Sequence, residues 1–143
     1  MKILNVKTEK RKLGNIGERR AARYLLFRGY RILKRNYVAK NAEIDIIAKR
    51  GDTLAFVEVK TRTVGRESPR EPRPASALTP EKQLKIIGAA NDYKIKHPSK
   101  CKMRFDVIEA FAVETKRNKI RINRINHLIS AFDLDSARQR GKR

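Results

Sequence analysis

Cysteine, acidic residues and long apolar runs are all scarce in this sequence of 143 residues. A single cysteine, Cys101, excludes an intramolecular disulfide and a thiolate metal cluster. No apolar run approaches the length that a membrane span needs. Residues 1–12 are basic but have no apolar core, so they do not form a secretory signal. We therefore expect a cytoplasmic protein without a membrane partner.

Positive charge is abundant: 36 Lys and Arg stand against 15 Asp and Glu, a formal net charge of +21. Repulsion at this density destabilises a compact chain unless an anionic partner relieves it. Nucleic acid is the expected partner, since Lys and Arg release condensed counterions from phosphates. Ribosomal and membrane-surface proteins share this composition, so charge alone does not separate a nuclease from a passive binding protein.

The apolar periodicity predicts a mixed α/β domain with the element order α-β-β-β-α-β-β. The predicted elements are a helix over 13–28, strands over 30–37, 42–48 and 53–61, a helix from Thr79-Pro80-Glu81 to 96, strands over 103–113 and 119–125, and a short helix over 127–132. The short connections predict an antiparallel meander for the first three strands. The expected domain is 13–132, between a basic N-terminal arm (1–12) and a basic C-terminal tail (133–143).

Prolines crowd the stretch that follows the third strand. Four of the five prolines are Pro69, Pro72, Pro74 and Pro80, and the first three alternate with arginines. Because proline disrupts regular elements, we predict a mobile basic loop over 62–78. The arginines expected to contact a nucleic-acid backbone there are Arg62, Arg66, Arg70 and Arg73.

The third strand carries an acid and a base on one face. In Phe56-Val57-Glu58-Val59-Lys60, alternation places Glu58 and Lys60 together, roughly 6–7 Å apart, with the valines opposite. A buried strand has no structural need for this pair, because unpaired buried charges are costly. The alternative interpretation is an ion pair at the edge of the strand.

The second strand favours an active site over an ion pair. Asp45 interrupts the apolar run Ile44-Asp45-Ile46-Ile47, and the turn at 50–52 places Asp45 close to Glu58 on the paired strand. Two carboxylates about 4 Å apart repel by about 4 kcal/mol at an effective dielectric near 20. A divalent cation converts that repulsion into binding, and oxygen ligands suit Mg²⁺ or Mn²⁺. Beside it, Lys60 could orient water or neutralise a phosphorane, which phosphodiester hydrolysis needs.

Four further residues are candidates for the functional site, and each also has an ordinary structural explanation. Glu18 lies on a small-residue face of the first helix, as an accessory acid or as a partner of nearby arginines. Glu43 shares the parity of Asp45, and we expect it at the rim rather than on a metal. Lys82 and Gln83, in the first turn of the second helix, could contact phosphate or belong to a solvated helix start.

Several motifs together resemble a known superfamily. These are Gly14-Asn15-Ile16-Gly17-Glu18-Arg19, Gly29-Tyr30, Asn36-Tyr37, Glu43-Ile44-Asp45-Ile46-Ile47, Phe56-Val57-Glu58-Val59-Lys60-Thr61-Arg62 and Arg104-Phe105-Asp106-Val107. In spacing and element order they resemble the PD-(D/E)XK nucleases, which have the restriction-endonuclease-like fold. The nearest resemblance is to the bacterial YraN family of predicted nucleases, akin to Holliday-junction resolvases. Ile44 occupies the position of the proline in the PD-(D/E)XK motif, a position that varies within the superfamily.

The resemblance implies a central mixed sheet flanked by helices and a metal-dependent endonuclease acting on DNA, branched DNA included. It implies that Asp45 and Glu58 bind the metal, together with Val59, which lies between the acid and the lysine of the motif. It also implies that Lys60 is catalytic and that Glu18 is an accessory acid. Junction cutting would call for a homodimer with two sites. The alternative is a non-catalytic nucleic-acid-binding protein on the same scaffold, which explains the charge but not Asp45 within an apolar strand.

Overall fold

The computed structural model describes residues 6–63 and 78–141 of the chain, which form three helices and five strands. The predicted loop arginines Arg66, Arg70 and Arg73 lie outside the described residues. The elements are α1 (Val6–Phe27), β1 (Arg31–Ala39), β2 (Ala42–Arg50), β3 (Thr53–Thr63), α2 (Pro80–Lys96), β4 (Lys102–Thr115), β5 (Lys119–Phe132) and α3 (Leu134–Gly141). Among them, no helix is long and apolar enough to cross a membrane.

The five strands form one mixed sheet in the order β1-β2-β3-β4-β5. The β1–β2 and β2–β3 pairs are antiparallel, so the predicted meander is confirmed. The β3–β4 pair is parallel, and such a pair needs a crossover, which contains α2. The β4–β5 pair is again antiparallel. The predicted mixed sheet flanked by helices is therefore confirmed.

Each face of the sheet has its own apolar cluster. On one face α1 packs through Ala21 and Leu25 against Ile46 and Val57 of the sheet. On the other face α2 packs with Ile86, Ile87 and Tyr93 among its buried residues. The core strand β3 alternates between the two clusters, which explains its continuous burial from Leu54 to Val59.

Local signals set the end of α1 and the start of α2 as predicted. Thr79 is the N-cap of α2, and its hydroxyl accepts a hydrogen bond from the Lys82 amide at 3.1 Å, with Pro80 in the first turn. Gly29 follows the end of α1 with a φ of 86°, a conformation that glycine adopts without steric cost. The Tyr30 amide then donates to the Leu25 carbonyl at 2.9 Å, which closes the helix.

The predicted short helix over 127–132 is wrong, because β5 continues to Phe132. A buried carboxylate holds this stretch against β4: Asp106 accepts hydrogen bonds from the Ser130 amide at 3.0 Å and pairs with His127 Nε2 at 2.8 Å. The helix forms afterwards, as α3. Asp133 caps it, because its carboxylate accepts a hydrogen bond from the Ser136 amide at 2.7 Å, and the Asp133 amide donates to Ser136 Oγ at 3.1 Å.

Both termini are more regular than the sequence predicted. The predicted basic arm 1–12 is helical from Val6, and the predicted basic tail 133–143 contains α3, whose Ala137 is fully buried. Basic residues are good helix formers, so a high density of lysine and arginine does not prevent a helix.

A close approach between α1 and β3 depends on a glycine. A Cβ atom built on Gly17 would overlap the Thr61 hydroxyl and lie 3.0 Å from Thr61 Cβ and 3.2 Å from its Cγ2. Rotation of the threonine side chain cannot remove the Cβ contact. Gly17 therefore sets the distance between the helix carrying Glu18 and the strand carrying Lys60.

We expect Gly17→Ala to lower the free energy of unfolding by roughly 1–3 kcal/mol, because the helix must move away from the strand. Gly14→Ala is the matched control. Among the described residues, no atom beyond its chain neighbours and the adjoining helix backbone lies within 4 Å of its added Cβ, so we expect it to stabilise α1 by roughly 0.5–1 kcal/mol. Urea unfolding of the two variants measures both effects, and a stabilised Gly17→Ala would contradict the close approach.

Candidate active site

The candidate site lies where β2 and β3 separate. The regular pairing of these strands runs from Arg50–Thr53 to Ile46–Val57 and ends there. One step further, the Val59 amide donates to Asp45 Oδ2 at 2.7 Å instead of to a backbone carbonyl of β2. Asp45 thus serves as the hydrogen-bond partner of a strand amide at the opening of the sheet, which a purely apolar residue could not do.

The alternation of β2 changes at the same place. Ile44 and Ile47 belong to the α2-side cluster, whereas Ile46 belongs to the α1-side cluster. Regular alternation would put Ile44 and Ile46 on one face, so the strand is irregular around Asp45. The register on either side places Asn36 of β1 opposite Asp45, and Asn36 has a φ of 53°.

Asn36 connects two acids from different elements. Its amide nitrogen Nδ2 donates to Glu18 Oε1 at 3.2 Å and to Glu43 Oε1 at 2.9 Å. One carboxylate oxygen each from Glu18, Glu43 and Asp45 lie within 4.8 Å of one another. We call these three residues the carboxylate cluster. The sequence predicted that Glu43 lies at the rim of the site. It predicted no role for Asn36, although Asn36-Tyr37 was among the matching motifs.

Glu58 faces the helix α2 rather than the solvent. It is 7% exposed, and its Oε1 lies 3.1 Å from Lys82 Nζ. Burial raises the pKa of Glu58, and the neighbouring ammonium groups of Lys82 and Lys60 only partly oppose this. Burial works against the ammonium form of Lys82, but the Glu58 carboxylate raises the pKa of that lysine. The predicted proximity of Lys82 to the site thus takes the form of an ion pair with Glu58.

Burial and repulsion make Asp45 a weak acid. Burial first, and the neighbouring Glu58 carboxylate second, raise the pKa of Asp45 to about 8, while the hydrogen bond from Val59 opposes the shift. Burial and the ammonium group of Lys82 lower the pKa of Lys60. The site therefore holds more carboxylates than it can keep ionised without a further cation.

This donor set fits a divalent cation of the Mg²⁺ or Mn²⁺ type. The carboxylate cluster offers hard oxygen ligands from α1 and β2, and Glu58 adds a fourth carboxylate beside Asp45. Of the ligands expected from the sequence, Asp45 and Glu58 are brought together and Val59 contacts Asp45 through its amide. Glu18 joins them, and Glu43 does so as well.

Two clefts meet at these acids. Both are lined by Glu43, Asp45 and Glu58. One, of about 660 Å³, also involves Lys10, Arg11 and Asn15 of α1, and the other, of about 470 Å³, also involves Thr79, Lys82 and Lys85 at the start of α2. The acids thus share both clefts with cationic residues, Lys10 and Arg11 in one and Lys82 and Lys85 in the other, and Glu81 adds an acid to the second.

Two predicted phosphate contacts have other neighbours in the structure. Arg62 donates through Nε to Glu109 Oε2 at 2.7 Å. Gln83 is 1% exposed, and its side-chain nitrogen donates to the Leu78 carbonyl at 2.9 Å. A phosphate contact by either residue stays a prediction.

Comparison with known proteins places the whole site inside one family. Residues 17–110, from α1 to β4, match the uncharacterised protein family UPF0102. The chain belongs to this family. Membership of a YraN-like family, which the motifs predicted, is thereby confirmed. The name UPF0102 describes no activity, so the chemistry has to be inferred from the residues.

Related UPF0102 proteins occur in distant bacteria and match over nearly their full lengths. One from Chlorobium phaeobacteroides strain BS1 is 45% identical over 121 residues, which are 84% of this chain and 93% of that protein. One from Clostridioides difficile strain 630 is 42% identical over 120 residues, 83% of this chain and 95% of that protein. One from Caldanaerobacter subterraneus subsp. tengcongensis is 38% identical over 127 residues, 88% and 98% of the two chains.

The raised pKa of Asp45 predicts a characteristic dependence of stability on pH. The folded protein holds the Asp45 proton up to about pH 8, whereas an unfolded aspartate releases it near pH 4. Protonated Asp45 therefore stabilises the fold fully below about pH 4, and this contribution is lost as the pH rises to about 8. We expect Asp45→Asn to be more stable than the unaltered protein at pH 8, by roughly 1–3 kcal/mol.

Thermal unfolding in EDTA across this pH range measures the difference. Asp52→Asn is the control, because Asp52 is exposed in the turn between β2 and β3. Parallel pH profiles for Asp45→Asn and the unaltered protein would show that Asp45 is an ordinary acid.

Proposed function

We propose that this UPF0102 protein is a metal-dependent endonuclease of the PD-(D/E)XK superfamily that hydrolyses DNA in the cytoplasm. The observation that carries the proposal is the convergence of Glu18, Glu43, Asp45 and Glu58 at the opening between β2 and β3, beside two lysines. The order of the elements, with acids on β2 and β3 and a lysine two residues after the second acid, supports the restriction-endonuclease-like fold.

The acids would hold a Mg²⁺ or Mn²⁺ ion, with Asp45 shared between the cluster and Glu58. When bound, such an ion supplies charge neutralisation and Lewis-acid polarisation of a phosphoryl oxygen. Asn36 would keep Glu18 and Glu43 oriented, and the Val59 amide would do the same for Asp45. Fixed orientation matters because misplaced ligands lose much of the rate advantage.

The two lysines would have different tasks because their pKa values shift in opposite directions. The pKa of Lys60 is lowered, so its Nζ atom is suited to exchanging a proton with the attacking water or the leaving oxygen. The pKa of Lys82 is raised, so its Nζ atom stays a fixed positive charge between Glu58 and a bound phosphate. Both tasks serve a reaction in which negative charge develops on phosphate oxygens.

The rival function is nucleic-acid binding without turnover. It accounts for the net charge of +21 and for the lysines and arginine that line the two clefts. It gives no reason for four carboxylates in the lining of these clefts, because they would repel phosphate. The geometry therefore favours an enzyme.

A metal site predicts that Mg²⁺ stabilises the protein against heat. At ten times its dissociation constant a ligand adds about 1.4 kcal/mol of stability, a shift of a few degrees in Tm. We expect Mg²⁺ and Mn²⁺ to raise Tm at pH 8 and EDTA to reverse the rise. Asp45→Asn should lose the response and Asp52→Asn should keep it. An unaltered protein that responds no more to Mg²⁺ than to sodium at equal ionic strength would favour the rival.

The activity itself predicts metal-dependent cutting of DNA. Labelled four-way-junction, flap, single-stranded and duplex DNA are incubated with Mg²⁺, Mn²⁺ or EDTA. Asp45→Asn, Glu58→Gln and Lys60→Met should each lose at least about 100-fold in rate, because each removes a group acting on the transition state. Lys102→Met, at the opposite end of β4, is the control and should cut normally. Salt-sensitive binding without cutting of any substrate would overturn the proposed activity.

A further inference from the structure

Next to the proposed site, three strands present a charged face that the chemistry above does not use. The registers of β3, β4 and β5 align Lys60 with Glu109 and Asn126, and the next row on the same face aligns Arg62 with Phe111 and Arg124. The five residues Arg62, Glu109, Phe111, Arg124 and Asn126 are here called the arginine face. It begins one row beyond Glu58 on β3 and leads away from the carboxylate cluster.

A buried carboxylate lies in the middle of this face. Glu109 is 5% exposed, and its two oxygens accept hydrogen bonds from Arg62 Nε at 2.7 Å and from Asn126 Nδ2 at 3.0 Å. The side chain of Arg62 is itself 27% exposed. A guanidinium has five N–H donors in a planar fork, and the bond to Glu109 is made through Nε. Glu109 therefore fixes the direction of Arg62.

The second arginine, Arg124, packs against the aromatic ring of Phe111. The guanidinium carbon of Arg124 lies 4.1 Å from the centroid of the Phe111 ring, a cation–π distance. Arg124 remains exposed and Phe111 is buried beneath it. Since neighbouring strands are about 4.8 Å apart, Arg62 and Arg124 stand on backbones about 10 Å apart, the axial length of about three nucleotides of one strand.

We propose that the arginine face guides the DNA backbone away from the carboxylate cluster, with Arg62 and Arg124 as phosphate contacts and Glu109 as the residue that positions Arg62. This inference rests on the proposed function for the identity of the ligand. Glu109 gives one further reason for it, because an acid would weaken phosphate binding on a cationic face unless its task were to orient a cation. The fixed arginines lose little conformational freedom when they bind phosphate.

The first test measures DNA binding separately from cleavage. A short fluorescein-labelled duplex is titrated with protein in EDTA, and the anisotropy is followed at several salt concentrations. Arg62→Gln and Arg124→Gln should each weaken binding roughly three- to tenfold, the size of one lost charge-assisted contact. Each should also reduce the slope of log Kd against log salt by about 1. Arg31→Gln, exposed at the far end of β1, is the matched control and should change neither quantity.

The second test asks whether Glu109→Gln tightens or weakens DNA binding. If Glu109 is only a negative charge near the path, Glu109→Gln should tighten DNA binding. If it positions Arg62, Glu109→Gln should weaken binding, and in the Arg62→Gln background it should have no further effect. Should Glu109→Gln fail to fold, the double variant Arg62→Gln/Glu109→Gln replaces it, since it leaves no buried unpaired charge. That double variant must then bind like Arg62→Gln.

The outcomes separate this inference from the proposed activity. A protein that does not cut DNA but loses affinity through Arg62, Glu109 and Arg124 would retain the arginine face and refute the nuclease. A protein that cuts DNA but binds it equally well in all three variants would refute the arginine face and leave the nuclease standing. Tighter binding by Glu109→Gln would overturn the positioning role.

Discussion

The hydrogen bond from the Val59 amide to the Asp45 carboxylate determines how the site is built. At this point β2 turns away from β3 and the sheet opens, so that side chains from both faces can meet at one edge. Glu18 comes from the α1 side and Glu58 from the α2 side. Without the opening, the sheet would separate these acids. A strand amide that would otherwise lack a partner is satisfied by the same carboxylate that is proposed as a metal ligand.

The cost of this arrangement is electrostatic. Asp45 and Glu58 lie in a poorly solvated space with other carboxylates nearby, and the pKa values of both rise as a result. Lys82, which lies on α2, offsets part of the repulsion between these carboxylates through its ion pair with Glu58. Local conflicts of this kind are expected where a fold serves a function, because they are not tolerated elsewhere without compensation. The rest of the sheet shows none of comparable size among the described residues, since Asp106 and Glu109 are each paired with cations.

The sequence was sufficient for those parts of the fold and site that local rules govern. Asp45 and Glu58 could be placed side by side because a short turn fixes the register of a hairpin. Thr79 and Pro80 predicted the start of α2, because helix capping depends on residues that are adjacent in sequence. The parallel neighbour of β3 could not be derived in this way, because it depends on a crossover of many residues. The proximity of Lys82 was only one of two interpretations until the docking of α2 decided it.

Two features of the structure have causes that are remote in sequence. Glu43 is exposed, in line with the expected rim position, but simple alternation gives no sign of the irregularity of β2 or of the Asn36 amide that joins Glu43 to Glu18. The C-terminal part of β5 was mistaken for a helix because its strand conformation depends on Asp106, which is remote in sequence. Asn36 itself offers a signal that could have been used. Asparagine is one of the few residues that readily adopt a positive φ, and it did so opposite Asp45.

The path of the chain around the site bears on how the family can diversify. The backbone leaves the site along β3, past Lys60 and Arg62, and returns to it at Thr79 and Lys82. Residues 64–77 are thus inserted between two elements that each supply a charge to the same centre. The entropy of closing a chain segment grows only slowly with its length. Members of the family can therefore vary residues 64–77 in length or composition at little cost while the sheet and its acids stay as they are.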